Sequence, residues 1–207
     1  MKKKILLSGF EAFGGLSTNP TMDIIARTRD WELPNVELHT IILPVVYDEC
    51  ADLLIKEIDK HNPDVVISLG VAVGRAAITP ERIGINIQDT AGEGKSGDNR
   101  GFHPKDKPID ETGPVGLFST LPIRKITEDL LEKGIPAQIS NSAGTYICNN
   151  TLYSILHYIK RNELSIKAGF IHVPASPEMV TNKPQLPSMS IELQTEAVKT
   201  IIESIVQ

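Results

Sequence analysis

The stretch A-Q-I-S-N-S-A-G-T-Y-I-C-N-N-T-L-Y-S-I-L-H-Y-I, residues 137 to 159, holds the unit from which the rest of the chain can be read. A short run with strand character over Ala137 to Ser140 ends near Asn141, and Ser142-Ala143-Gly144 makes a turn. Ile147, Thr151, Leu152, Ile155 and Ile159 then follow the period of one face of a helix. Strand, turn and helix in this order predict a βα unit with Cys148 at or near the helix N-terminus.

The same alternation runs from end to end. Further strand candidates are Lys4 to Gly9, Val36 to Leu43, Val65 to Leu69, Ile83 to Ile87 and Ala168 to Val173. Between them Tyr47, Cys50, Ala51, Leu54, Ile55 and Ile58 line one helix face, which puts Cys50 on a buried side. Ile123, Ile126 and Leu130 mark a second helix, with Pro122 suited to its first turn and Gly134 to the left-handed residue that ends it. Ile191, Val198, Ile201, Ile202 and Ile205 mark a C-terminal amphipathic helix. This pattern predicts an α/β fold with helices on both faces of a mostly parallel sheet. Residues 90 to 116, rich in Gly, Pro and charge, read as a long irregular loop of the kind that is either a functional lid or disordered, and residues 174 to 188 as a Pro-rich connection.

Bulk composition narrows the function classes. A chain of 207 residues, 41% hydrophobic and 23% charged, has the size of one domain over 1–207. Its formal net charge of -5 argues against nucleic acid or an anionic membrane as the main partner. The apolar run after Lys2-Lys3-Lys4 breaks at Ser8-Gly9, short of the ~7–15 residues of a signal peptide core. No run of ~18 apolar residues predicts a membrane span. Two cysteines, Cys50 and Cys148, make neither a disulfide framework nor a zinc pattern, which fits a reducing, cytoplasmic setting.

At a helix start, unpaired N–H groups and the positive end of the dipole stabilise a thiolate and could hold a developing oxyanion. An isolated cysteine is also a common core filler, so position alone leaves both readings of Cys148 open. A nucleophile needs a base. His39, His61, His103 and His157 read as surface or boundary residues, whereas His172 closes the apolar strand A-G-F-I-H-V. Sites in open α/β sheets form beyond the carboxyl ends of the strands, so His172 and Cys148 could meet at one sheet edge. A carboxylate or amide to orient the imidazole is available in I-T-P-E-R-I-G-I-N, residues 78 to 86, as Glu81 or Asn86. By spacing alone Glu81 could equally pair with Arg75 or Arg82.

Four segments together resemble the pyroglutamyl peptidases of type I, the pyrrolidone-carboxylate peptidases. They are G-F-E-A-F-G-G at 9 to 15 followed by N-P-T at 19 to 21; G-V-A-V-G-R at 70 to 75 running into I-T-P-E-R-I-G-I-N; S-A-G-T-Y-I-C-N at 142 to 149; and G-F-I-H-V-P at 169 to 174. The resemblance implies a three-layer α/β/α sandwich around a mixed, mainly parallel sheet, no metal or organic cofactor, a cytoplasmic location and a homotetramer. It implies a cysteine exopeptidase acting on N-terminally pyroglutamylated peptides through a thioester, with Cys148 as nucleophile, His172 as base and then acid, and Glu81 orienting the imidazole. Phe10, Phe13, Val45, Tyr146 and Ile147 match family positions that line the slot for the lactam ring. For the two phenylalanines the pocket is the favoured reading over the core, because a Gly-rich loop is an awkward place to bury them.

The chain departs from the family pattern at Ala12, Val71 and Ala175-Ser176. It departs most at T-A-G-E-G-K-S-G-D-N-R-G, residues 90 to 101, where Asp98-Asn99 reads as a displaced remnant of the family's segment and Arg100 as a substitute charge. Two other readings follow from those departures and from the glycines at 9 to 15. One keeps the cysteine site but takes a different cyclic or amide-blocked terminus, and the other is a non-catalytic small-molecule or nucleotide binding module. Against the second, G-F-E-A-F-G-G lacks the dinucleotide glycine spacing and Glu11 would repel phosphate.

Overall fold

The structure, a computed structural model, describes residues 2–14, 18–29, 31–91 and 97–206. In chain order its elements are β1 (Lys3–Phe10), α1 (Pro20–Thr28), β2 (Val36–Leu43), α2 (Glu49–His61), β3 (Val65–Val71), β4 (Thr79–Pro80), β5 (Ile83–Ile85), β6 (Gly116–Phe118), α3 (Ile123–Glu132), α4 (Ile147–Arg161), β7 (Lys167–Val173) and α5 (Ile191–Val206). The main sheet has the order β2-β1-β3-β7-β4. Its first four strands are parallel, and β4 joins β7 antiparallel, with Thr79 opposite His172. A mixed, mainly parallel α/β architecture is therefore what the chain adopts.

The period-2 alternation of the central strands divides the core into two layers. Ile5, Leu7, Val65, Ile67, Leu69 and Ile171 face one side, where Ile24 and Ile25 of α1, Ile126 and Leu130 of α3, and Val198, Ile201 and Ile202 of α5 cover them. Leu6, Val66, Ala168 and Phe170 face the other, under Cys50, Leu54 and Ile58 of α2 and Leu152, Ile155, Leu156 and Ile159 of α4. Strand β3 sits in the middle of the sheet and is buried along its whole length, which explains its continuous apolar run V-V-I-S-L-G-V.

Local signals set the helix ends. Asn19 caps α1, its side-chain oxygen accepting from the Thr21 N–H at 3.1 Å, and Pro20 follows at the first helical position. This helix is absent from the periodic pattern of the sequence, although Asn19-Pro20-Thr21 carries the cap signal. Helix α3 ends as expected before Gly134, which adopts φ of 73°.

Three expectations need correction. The strand foreseen at Ile83 to Ile87 stops at Ile85 and lies outside the main sheet, paired antiparallel with β6. The fully buried side chain of Asn149 takes the place of a strand partner there. Its oxygen accepts from the Ile85 N–H, and its amide donates to the carbonyls of Ile85 and Ile87, all at 2.9 Å. The strand foreseen at Ala137 to Ser140 forms only isolated parallel bridges, Ile78 with Ala137 and Glu81 with Ser140, running beside β4.

Residues 90 to 116 are not wholly irregular either. Gly116 begins β6, and Asn86 gathers the preceding turn by accepting from the N–H groups of Ile109 and Asp110 and donating to the carbonyls of Asp110 and Gly113. Gly15, in the first of the four family-like segments, and Gly92 to Ser96, in the departing loop, lie outside the described residues.

Candidate active site

A cleft of about 500 Å³ opens at the carboxyl ends of the parallel strands. Its walls come from the ends of β1 and β2 (Phe10, Phe13, Val45), the end of β3 (Gly70 to Val73, with Arg75), the start of α4 (Ala143, Gly144, Tyr146, Ile147, Cys148), and His172 of β7. Parallel strands deliver their successive loops to one edge, which is why residues far apart in sequence converge there.

Cys148 is the second residue of α4, following the turn in which Gly144 adopts φ of 77°. The first turn of α4 contains no acidic residue, and its N-cap, Tyr146, makes no side-chain capping bond. The N–H groups of that turn have no partner within the helix, so the N-terminus offers them and its dipole to negative charge. Gly70 makes room for the sulfur, since a Cβ there would lie 3.0 Å from Cys148 Sγ and 2.7 Å from the Phe170 ring. Gly70 is also the residue paired with His172 across β3 and β7. The thiol therefore stands over the strand position next to the imidazole.

His172 is 4% exposed, and its Nδ1 lies 2.8 Å from Oε1 of Glu81, itself fully buried. The antiparallel β4 brings this carboxylate into place, with the Glu81 N–H donating to the Phe170 carbonyl at 2.9 Å immediately after Thr79 pairs with His172. Arg75 completes the line. It donates to Glu81 Oε1 and to Thr79 Oγ1, each at 2.7 Å, and to the Ser142 carbonyl at 3.2 Å. Of the partners open to Glu81 from sequence, Arg75 is the one engaged, while Arg82 turns away to Asn141.

Burial pushes the Glu81 pKa up, but the hydrogen bond and charge of His172 outweigh it, with Arg75 adding to them, and the carboxyl ends below its ordinary value. An ionised carboxylate at Nδ1 holds the imidazole with its other nitrogen directed elsewhere, the arrangement a base needs. Cys50, by contrast, is fully buried against Thr151, and burial pushes its thiol up to about 12. It is a packing residue, as its place on the helix face predicts.

The apolar end of the cleft corrects the reading of the two phenylalanines as pocket in preference to core. Phe10 is the last residue of β1, 3% exposed, and packs 6.2 Å from Phe170 while also lining the cleft. Phe13 is partly buried against the same core layer. Val45, Tyr146 and Ile147 are likewise both core and wall. Burial in the layer and contact with the cleft coexist because the slot is cut into the edge of the core.

Asp98 and Asn99, read from sequence only as a remnant, tie this wall together. Asp98 accepts from the backbone N–H groups of Tyr47, Arg100 and Phe102. The Asn99 amide donates to Glu11 Oε1 at 2.8 Å and to the Ala12 carbonyl at 3.1 Å, while its backbone N–H donates to the Val45 carbonyl. Tyr146 closes the ring by donating to the Gly97 carbonyl at 2.9 Å. Arg100 pairs with Glu49 at the surface and does not line the cleft. The other residue missed is Asn149, the first of two adjacent asparagines in the first turn of α4, which no local pattern marks as buried. Among the described residues, no group of three or more His, Cys, Asp or Glu is placed to hold a metal ion, and no helix is long and apolar enough to cross a membrane.

Comparison with known proteins extends these observations over the whole chain. A pyrrolidone-carboxylate peptidase of Caldanaerobacter subterraneus is 44% identical over 204 residues, covering 99% of this chain and 97% of that protein. One of Bacillus licheniformis is 44% identical over 199 residues, covering 96% and 90%. The crystal structure of pyroglutamyl peptidase I from Bacillus amyloliquefaciens superposes with a TM-score of 0.94 at 36% identity, covering 99% of this chain and 95% of that one. A mutant pyrrolidone carboxyl peptidase from Pyrococcus furiosus gives 0.92 at 40% identity, with 98% of each chain covered. A family model described as pyroglutamyl peptidase matches residues 3–207, and the chain belongs to the pyroglutamyl peptidase family.

Proposed function

We propose that the chain, acting as one catalytic domain, is a cysteine exopeptidase that removes the pyroglutamyl residue from the N-terminus of peptides. The observation that carries this reading is the placement of Cys148 at a helix N-terminus over Gly70, beside a buried His172–Glu81 pair and at the mouth of an apolar slot. The lactam ring carries no terminal ammonium, so its recognition falls to a ring-sized apolar wall and a few hydrogen bonds. Phe10, Phe13, Val45, Tyr146 and Ile147 supply such a wall.

In this reading His172 accepts the thiol proton, and the Cys148 thiolate attacks the pyroglutamyl carbonyl carbon. The C–S bond forms as the carbonyl oxygen takes up negative charge, which the first-turn N–H groups of α4 stabilise. His172 then donates its proton to the leaving amine as the C–N bond breaks, leaving a thioester on Cys148. Water, deprotonated by His172, attacks that thioester, and the thiol and free pyroglutamate are released. Glu81 holds the imidazole in register and stabilises its cationic form, and Arg75 fixes Glu81 from behind.

Family resemblance also supports a cytoplasmic homotetramer. Val115 and Phe118, 91% and 68% exposed beside β6, are apolar surface of the kind that subunit contacts cover.

A panel of N-terminally distinct anilides tests the substrate. Pyroglutamyl anilide is expected to be hydrolysed, with prolyl anilide (a ring bearing a charged amine) and N-acetylalanyl anilide (blocked but acyclic) at least about 100-fold slower in kcat/KM. Preference for any other blocked terminus would transfer the same site to a different substrate and overturn this assignment.

A further inference from the structure

The described lining of the cleft carries charge of one sign only, from Arg75 and Lys183, with no carboxylate. At the β1–β2 end the wall is the apolar slot, built from Phe10, Val45 and Tyr146. Cys148 and His172 lie over β3 and β7, further along the sheet order β2-β1-β3-β7. A pyroglutamyl ring seated in the slot therefore directs the rest of its peptide across the thiol toward the β7 side. Outside the slot the cleft lining includes Lys183, from the segment that follows β7 in sequence, and Arg75.

The two cations differ. The charge of Arg75 is balanced by the buried Glu81, against which its guanidinium is held at 2.7 Å. Lys183 is exposed, and among the described residues its ammonium takes part in no ion pair, although its backbone N–H is held by the Val180 carbonyl at 2.7 Å. The described lining of the cleft includes no Asp or Glu at all, in a chain whose net charge is -5. Cations with no carboxylate among the described lining residues favour negative charge in the cleft, and low-dielectric walls focus their field on whatever occupies it.

We infer that Lys183 is a specificity residue for the leaving peptide, favouring a carboxylate within the first residues after the pyroglutamyl ring. The carboxylate has two sources, an acidic side chain or the free C-terminus of a pyroglutamyl dipeptide. This rests on the proposed exopeptidase reading and adds to it a direction and a charge for the part of the substrate outside the ring. Lys183 acts by attraction to bound substrate rather than in bond breaking, so its effect belongs mainly in KM.

The test compares kcat/KM for pyroglutamyl-alanine with that for pyroglutamyl-alanine amide, and for the amides of pyroglutamyl-aspartate and pyroglutamyl-lysine, at low salt and at high salt. The carboxylate substrates are expected to exceed their neutral counterpart by about two- to fivefold at low salt, the range of an exposed ion pair, with the lysyl substrate lower. High salt and Lys183→Ala should each bring the ratios close to one, and Lys183→Glu should invert them. A gain confined to the free acid assigns the carboxylate to the dipeptide C-terminus, and one confined to aspartate assigns it to the side chain. Hydrolysis of all four with equal kcat/KM, or ratios unchanged in Lys183→Ala, would overturn the inference alone. Absence of turnover on every pyroglutamyl substrate would overturn the exopeptidase reading and the inference with it.

Discussion

Two cysteines in one chain occupy contrasting environments. Cys50 lies on the buried face of α2 with its pKa pushed up to about 12 by burial, whereas Cys148 lines the cleft at a helix N-terminus. Iodoacetamide at neutral pH, followed by peptide mass spectrometry, should label Cys148 and leave Cys50 unmodified in the folded protein. Both should label after denaturation. Glu81 carries the second prediction at this scale. Because its folded pKa is lowered from the ordinary 4.5, its ionised form stabilises the fold at neutral pH, and that stability is lost as pH falls through the folded value. Melting curves should show the wild type above Glu81→Gln at pH 7, with the gap narrowing below about pH 4.5; a gap independent of pH would contradict the ion-pair account. How much of this was legible varied with the residue. Cys148 announced itself by a glycine turn running into a helical period, and His172 by ending an apolar strand. Glu81 could be matched to His172 only through family resemblance, since a two-residue antiparallel strand that sets Thr79 against His172 has no periodicity to read.

The elements that position the site rest on side chains working as backbone partners. Strands β1, β2, β3 and β7 were legible because burial imposes an apolar pattern on them, and α2, α3, α4 and α5 because each presents one apolar face. Three features set by asparagine were missed or misread: α1 with its Asn19 cap, the early end of β5 at Asn149, and the turn before β6 held by Asn86. Such bonds join residues as far apart as 64 positions, beyond the reach of any local pattern. Asn149→Ala leaves the Ile85 N–H and the Ile85 and Ile87 carbonyls without their side-chain partner, so it should lower the free energy of unfolding in urea by about 1–3 kcal/mol. An unchanged midpoint would mean that β5 holds its place without the clamp.

At the scale of the whole molecule, the mixed sheet explains why three separate segments end at one edge: β7 carries the imidazole, antiparallel β4 leads to the carboxylate, and the start of α4 brings the thiol over Gly70 of β3. Likeness of fold to the two solved relatives is consistent with that frame. The segment from Gly97 onward is tied into it, because Asp98 bonds to Tyr47 and Asn99 to Glu11 and Ala12, and so to the slot wall. The central claim is that this frame exists to present Cys148 to a pyroglutamyl carbonyl. The most direct measurement is kcat/KM on pyroglutamyl anilide for Cys148→Ala, with folding checked by circular dichroism. The account predicts a loss of about 10⁴-fold or more, as removing a nucleophile does elsewhere; turnover at the wild-type rate would contradict it.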